Sequence, residues 1–293
     1  MIPKELLRAL RRIEITTKRL ATEQLAGSYT SVFRGQGLAF REVRRYQPGD
    51  DVRTIDWNVS ARMDETYVKV FVEEREMTVM LVVDASASGQ FGTRVASKAR
   101  IAAEVGALCA FSAIKHNDRV GLILGTSVMV KIIPPKKGQK HVLRVVREIL
   151  GAEPRERGTD LALALGTLYR VARRRSVAFL LSDFHTSGYE RALALAAARH
   201  DVIPLLLVDP RDEQMPDVGL ASFEDLETGE SVLVDTSDAR VRTHYARSMR
   251  ELREGHLRTF KKLGLDHAVV RTDRPFVEPL RQLFARRARR IRR

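Results

Sequence analysis

Val79-Met80-Leu81-Val82-Val83-Asp84-Ala85-Ser86-Ala87-Ser88 is an apolar run that ends abruptly in a carboxylate and two hydroxyls. Five successive apolar residues without polar alternation predict a strand covered on both faces, as in a parallel sheet flanked by helices. Gly89, Gly92 and Thr93 read as a turn. From Arg94 the spacing becomes helical, with Ile101, Val105, Leu108 and Ser112 on one face. Strand, short loop and helix in that order put Asp84, Ser86 and Ser88 at the carboxyl end of a strand, where open α/β sheets bind ligands.

Outward from this unit the alternation continues. Residues 119–125 form a second buried strand and 128–133 a third, joined by a tight hairpin at Thr126-Ser127. Pro134-Pro135 is expected to stop the sheet, and a helix follows over 141–150. Gly158-Thr159-Asp160 opens another helix whose Leu161, Leu165 and Leu168 face inward. A fourth strand over 177–181 ends in Ser182-Asp183. A helix over 188–199 leads to a fifth strand over 202–208. Residues 222–234 read as a surface hairpin around Thr228-Gly229, 238–263 as a long helix and 266–271 as a sixth strand. The pattern predicts an α/β fold with a doubly wound, mostly parallel sheet.

Before this domain, residues 3–25 carry Leu6, Leu10, Ile13 and Leu20 at helical spacing, a face expected to pack on the chain's own core. Residues 38–46 and 66–74 have the β-branched and aromatic content of strands. The expected organisation is therefore an N-terminal helix with an Arg/Asp/Trp-rich extension over 1–77, the α/β domain over 78–285, and a basic tail over 286–293.

The 293 residues are 44% apolar, ample for a packed core, and the formal charge is +14. Half of that excess lies in residues 271–293, where nine arginines face Asp273 and Glu278. Phe276, Leu280, Leu283 and Phe284 make the arginine run the end of a packed helix. A solvated helix end is expected rather than a nucleic-acid grip, because no aromatic interleaving or recognised nucleic-acid module accompanies it. The single cysteine, Cys109, excludes a disulfide framework and reads as a small buried hydrophobe. With no signal-peptide pattern and no apolar run long enough to span a bilayer, the expectation is a soluble cytoplasmic protein.

Three separate loops supply oxygen ligands: Asp84, Ser86 and Ser88 after the first strand, Thr159 at a helix start, and Asp183 after the fourth strand. This set resembles the metal-ion-dependent adhesion site of the von Willebrand factor type A domain, written Asp-x-Ser-x-Ser, then Thr, then Asp. By that resemblance Ser86, Ser88 and Thr159 would offer hydroxyls, and Asp84 and Asp183 carboxylate charge directly or through water. Oxygen donors suit magnesium, with manganese or calcium as alternatives, and no Cys or His cluster suits zinc. The implied partner is an acidic residue of another protein that completes the site.

The preceding block runs Arg45-Tyr46-Gln47-Pro48-Gly49-Asp50-Asp51-Val52-Arg53-Thr54-Ile55-Asp56-Trp57, then Ser60-Ala61-Arg62, with Glu73-Glu74-Arg75-Glu76 leading into Asp84. It resembles the bacterial domain-of-unknown-function family 58, over nearly the whole chain. That resemblance implies work beside a MoxR-type AAA+ ATPase as an adaptor or co-chaperone. Arg45, Asp50, Asp51, Arg53, Asp56, Trp57 and Arg62 are the partner-binding candidates. The competing expectation is a metal-dependent hydrolase. Asp84 resembles the aspartyl nucleophile of haloacid-dehalogenase phosphatases, but Ser86 stands where their second aspartate would be. There is no Walker A loop either, so ATP hydrolysis would belong to a partner. A non-enzymatic protein is expected, with His185 a loop residue rather than a base.

Overall fold

The computed structural model describes residues 4–21, 37–63, 65–74, 76–90, 92, 96–126, 130–152, 158–224 and 230–291. In chain order its elements begin with α1 (Lys4–Leu20), β1 (Gly37–Arg45), α2 (Trp57–Met63), β2 (Tyr67–Glu74), β3 (Thr78–Asp84) and α3 (Lys98–Lys115). Then come β4 (Arg119–Gly125), β5 (Val130–Lys136), α4 (Gln139–Leu150), α5 (Leu161–Val171), β6 (Val177–Ser182), α6 (Glu190–Arg199) and β7 (Asp201–Val208). The last are α7 (Pro210–Glu213), β8 (Leu220–Glu224), β9 (Ser231–Asp235), α8 (Ala239–Lys262), β10 (Ala268–Arg271) and α9 (Val277–Ile291).

Six strands form the main sheet in the order β10-β7-β6-β3-β4-β5. All neighbours are parallel except β4 and β5. β3 lies between β4 and β6, and Val79 to Val83 are buried. The expected doubly wound sheet is therefore present. β5 differs from expectation by running through Pro134 and Pro135. It is an edge strand with one neighbour, where a missing N–H can face away from the ladder. Ser127 of the expected hairpin and the turn at Thr228-Gly229 fall on residues outside those described.

Both faces of the sheet are covered. Met80, Val82, Ala178, Leu180 and Leu206 pack with Leu161, Leu165 and Leu168 of α5, Leu193 of α6 and Phe260 of α8. On the opposite face α3 comes so close that a Cβ on Gly106 would sit 3.2 Å from Leu81 Cδ1. There too Phe179 meets Phe284 of α9 edge-on, 6.4 Å between ring centroids. Each fully buried Leu or Val side chain contributes about 1.5–3 kcal/mol, so the central strands anchor the loops at their ends. α1 lies against α3 and α4, with Gln139 Nε2 donating to Glu14 at 2.7 Å.

The arginine run is exposed at Arg286, Arg289 and Arg290 and departs from a solvated end at Arg287. Residues 286–291 continue α9, and Arg287 is 4% exposed, paired with Asp201 and, at 2.9 Å, with Asp266. Residues 33–77 form a separate compact unit in which β1 and β2 pair antiparallel, with a bulge between Phe40 and Glu42. Among the described residues no helix is long and apolar enough to cross a membrane.

Candidate functional site

The helix after β3 packs on one face of the sheet and the helix after β6 on the other, so the chain diverges where these neighbouring strands end. Such a switch point leaves a crevice at the carboxyl ends of the strands. Asp84 closes β3 there. Its Oδ1 accepts the Ser86 N–H at 3.0 Å, and its Oδ2 accepts the Ser182 hydroxyl at 2.7 Å. Ser86 and Ser88 are buried and share a hydrogen bond of 2.9 Å between their hydroxyls. Asp84, Ser88, Lys98, Ser182 and Asp183 line one cavity of about 10 Å³, roughly the room that a single water requires.

Asp183, 5% exposed, follows β6. Its Oδ2 accepts from the Lys98 ammonium at 2.8 Å and its Oδ1 from the His185 N–H at 3.2 Å. Lys98 also reaches Asp212 Oδ2 at 2.8 Å. Asp212 lies in the short α7 after β7, where its carboxylate caps the Asp209 N–H at 2.8 Å. Burial and then the neighbouring Asp183 charge push the Asp84 carboxyl up to about 6, against the hydrogen bonds from Ser182 and Ser86. Burial would also raise Asp183, but the Lys98 charge, with His185, holds it below the usual carboxylate range. Lys98 is displaced upward: burial works against its charge, and Asp183 and Asp212 outweigh it.

The turn after β6 is fixed from behind. Phe184 adopts a left-handed backbone (φ 58°), its N–H donates to Ser182 Oγ at 2.8 Å, and its ring is buried. The ring packs 5.3 Å from Tyr189, 5.8 Å from His256 and 5.0 Å from Phe260. A left-handed non-glycine costs about 1–3 kcal/mol and persists where its surroundings over-determine it, as this ring cluster does. Thr159 follows Gly158, whose φ of 92° suits glycine. Its carbonyl accepts the Thr186 hydroxyl at 3.1 Å, which ties this loop to the one that carries Asp183.

The structure thus brings Asp84, Ser88 and Asp183 to one cavity, ties Ser86 to Asp84 and Ser88 beside it, and holds Thr159 on the adjoining loop, with Ser86 and Thr159 outside the cavity lining. These residues fit a hard divalent cation. The buried Thr159 Oγ1 has no hydrogen-bond partner, and two carboxylates repel each other beside free hydroxyl lone pairs. Among the described residues no group of three or more His, Cys, Asp or Glu is set to hold a metal, so hydroxyls and water would have to complete the coordination, as magnesium tolerates. Sequence reasoning missed Lys98, Ser182 and Asp212. One signal was available for Lys98: it shares the inward stripe of α3 with Ile101, Ala102 and Val105, an odd place for a charge.

In the smaller unit the Arg/Asp/Trp block divides by role. Arg44 grips Asp50 with two bonds of 2.8 and 2.6 Å, and Asp50 also accepts the Gln47 N–H at 2.8 Å, closing the Pro48-Gly49 turn. Asp51 caps the single helical turn over 52–54 through the Arg53 N–H at 2.9 Å. Asp56 accepts from Asn58 and Val59 at the start of α2 and pairs with Lys69 at 3.4 Å. The aspartates therefore build the turns. Arg45 is paired with Glu65 at 2.7 Å. Trp57, 71% exposed, stands on the outer face of α2 with Arg62 also exposed, and Arg53 is exposed on the preceding turn.

Residues 42–255, which span this block and the cavity, match the family model described as Protein of unknown function DUF58. The chain belongs to that family. It is 35% identical over 289 residues to the uncharacterized protein Rv1480 of Mycobacterium tuberculosis (strain ATCC 25618 / H37Rv), covering 97% of this chain and 90% of the relative. Similar solved structures include the conserved hypothetical protein BatB from Bacteroides thetaiotaomicron, at 17% identity and TM-score 0.43, covering 73% of this chain and 99% of that one. The SpRpn10 VWA domain is similar at 13% identity and TM-score 0.34, covering 45% of this chain and 75% of that one.

Proposed function

We propose that this chain is a non-enzymatic adaptor that captures an acidic side chain of a protein partner at a metal-ion-dependent adhesion site, and that it serves a MoxR-type AAA+ ATPase in the assembly or maturation of other proteins. Asp84, Ser86, Ser88, Thr159 and Asp183 would hold the ion, magnesium before manganese or calcium. The observation that carries the reading is the charge balance at the sheet edge. The formal charges of Asp84, Asp183 and Asp212 against Lys98 leave two negative charges in a largely buried site. Uncompensated buried charge is costly, and a divalent ion would cancel it.

A bound ion would supply a coordination position open to an external carboxylate. This chain's own residues fix the approach: Ser182 and the Ser86 N–H orient Asp84, and the Phe184 cluster holds the turn carrying Asp183. The Ser86 hydroxyl is engaged with Ser88 rather than poised on a base, which favours binding over group transfer. Trp57 with Arg53 and Arg62 offers a second contact surface on the smaller unit. A cytoplasmic setting goes with this reading. Cys109 is buried, and burial pushes its thiol up to about 12, so it is inert as a redox group.

Calorimetric titration of magnesium and manganese into the chain and into Ser86→Ala tests the site. Light scattering with the ATPase, in magnesium and then in excess chelator, tests the partnership. The reading expects ion binding weakened by Ser86→Ala, a complex weakened by chelator, and no ATP or phosphate-ester hydrolysis by the chain alone. A complex indifferent to chelator would sink the metal-bridged mechanism.

A further inference from the structure

Lys98 is placed against three ordinary preferences. It is the first residue of α3 after the Ser97 cap, where the positive end of the helix dipole disfavours a cation. Its side chain is 2% exposed, and lysine is almost never so buried unless paired. It also lies on the apolar stripe, where a methionine of similar length would fill the same space. What it gains is two carboxylates, Asp183 and Asp212, each at 2.8 Å, and with Asp183 it lines the cavity that Asp84 also lines. Because Asp183 follows β6 and Asp212 follows β7, this one ammonium joins the ends of two strands to the start of α3.

Resting on the ion-binding reading above, we propose that Lys98 is a resident internal cation that sets how this site takes a divalent ion. It supplies part of the positive charge that the carboxylates need, so the ion-free chain stays folded. It repels an incoming ion across the shared Asp183 carboxylate, so binding is moderated. It also makes the loaded site formally neutral: three carboxylates balance one ammonium and one divalent ion. Without Lys98 the loaded site would keep a negative charge and repel the carboxylate of a partner. Lys98 is thus a positioning residue that acts through Asp183.

The test compares Lys98→Met and Asp212→Asn with the unaltered chain at pH 8, by calorimetry with magnesium and manganese chloride and by thermal unfolding in chelator and in magnesium. Lys98→Met is expected to unfold at lower temperature in chelator, to gain more from magnesium, and to bind the ion at least about tenfold tighter, given the size of charge repulsion at such separations. Asp212→Asn, which leaves Lys98 to act on Asp183 alone, is expected to bind it several-fold more weakly. A folded Lys98→Met with unchanged or weaker affinity overturns the proposal. If that variant does not fold in either condition, an unchanged affinity in Asp212→Asn overturns it. Native binding that neither substitution alters upholds the ion-binding reading and sinks this one. Ion binding by Lys98→Met alone upholds the role of Lys98 and sinks the ion-binding reading for the native chain. No ion on any of the three overturns both.

Discussion

Replacing Asp84 by Asn should stabilise the ion-free protein while removing its response to magnesium. In the fold the Asp84 carboxyl is raised from its ordinary value of 3.8 to about 6, by burial first and by Asp183 second. A carboxyl whose folded pKa lies above its unfolded one contributes stability only while protonated, below the unfolded value, and loses it as pH rises through the folded value. At about 1.4 kcal/mol per pK unit, the upward shift of Asp84 costs the fold about 3 kcal/mol at pH 7.5, where the carboxyl is ionised, and about 1 kcal/mol at pH 4.5, where folding protonates it. The residue keeps part of its surface open to solvent although its carboxylate is packed round by protein, so these figures are upper bounds. Asn also spoils one of the two bonds from Ser182 and Ser86, which takes back about 1 kcal/mol. The expected net gain of about 2 kcal/mol at pH 7.5 corresponds to about 4–8 °C in Tm for a unit of this size. Thermal unfolding by circular dichroism in chelator, at pH 7.5 and 4.5, measures it. The gain should shrink or reverse at the lower pH. A variant less stable than the native chain at pH 7.5 in chelator, or a difference that does not change with pH, would refute the charge argument.

Two further outcomes follow from other parts of the molecule. Arg287→Ala removes an almost fully buried guanidinium from Asp201 and Asp266, of which Asp266 keeps Arg290 at 2.8 Å, so urea unfolding should show a loss of about 2–3 kcal/mol, under the usual figure for a fully buried pair because the carboxylates are partly exposed and one of them stays paired. Trp57→Ala should leave the unfolding midpoint nearly unchanged, since the ring is 71% exposed, while weakening the complex with the ATPase by about tenfold or more if the ring anchors that contact; light scattering reads the second effect and circular dichroism the first.

The sheet was legible because its signal is carried by continuous apolar runs. Val79 to Val83 and 177–181 fit strands buried on both faces, and helices of ordinary length separate them. Local reasoning failed where a neighbour in space decided the outcome. Pro134-Pro135 reads as a terminator until β5 is known to be an edge. Arg287 reads as solvated with its neighbours until Asp201 and Asp266, 86 and 21 residues back, turn out to face it. The candidate oxygen donors were readable because three loops each end a strand or start a helix at a visible boundary. Lys98, Ser182 and Asp212 were missed because their roles are pairings over long sequence separation: Lys98 and Asp183 are 85 residues apart, and Ser182 and Asp84 are 98 apart. In the Arg/Asp/Trp block, three of the partner-binding candidates, Asp50, Asp51 and Asp56, are occupied with backbone N–H groups and local cations.

The two carboxylates of the site should respond oppositely to the same chemical change, and this separates their roles more sharply than loss of ion binding can. Asp84 is buried and lies beside like charge, so it gains from becoming neutral, whereas Asp183 is held in its ionised form by Lys98. Asp183→Ala leaves the Lys98 ammonium buried with Asp212, so a pair is broken rather than a repulsion relieved, at a cost of about 3–5 kcal/mol. A carboxyl whose folded pKa is lowered contributes stability above its unfolded value and loses it as pH falls through the folded one. The Asp183→Ala penalty should therefore persist from pH 7.5 down to about 4, over the range in which the Asp84→Asn gain shrinks. Restoring balance confirms the assignment: Lys98→Met added to Asp183→Ala should recover part of the loss, since no buried cation then remains without the Asp183 carboxylate. Unfolding curves of the three variants in chelator decide the matter. If Asp84→Asn and Asp183→Ala moved the midpoint in the same direction, or if Lys98→Met made Asp183→Ala worse, the site would not be organised as an unbalanced pair of carboxylates with one resident cation.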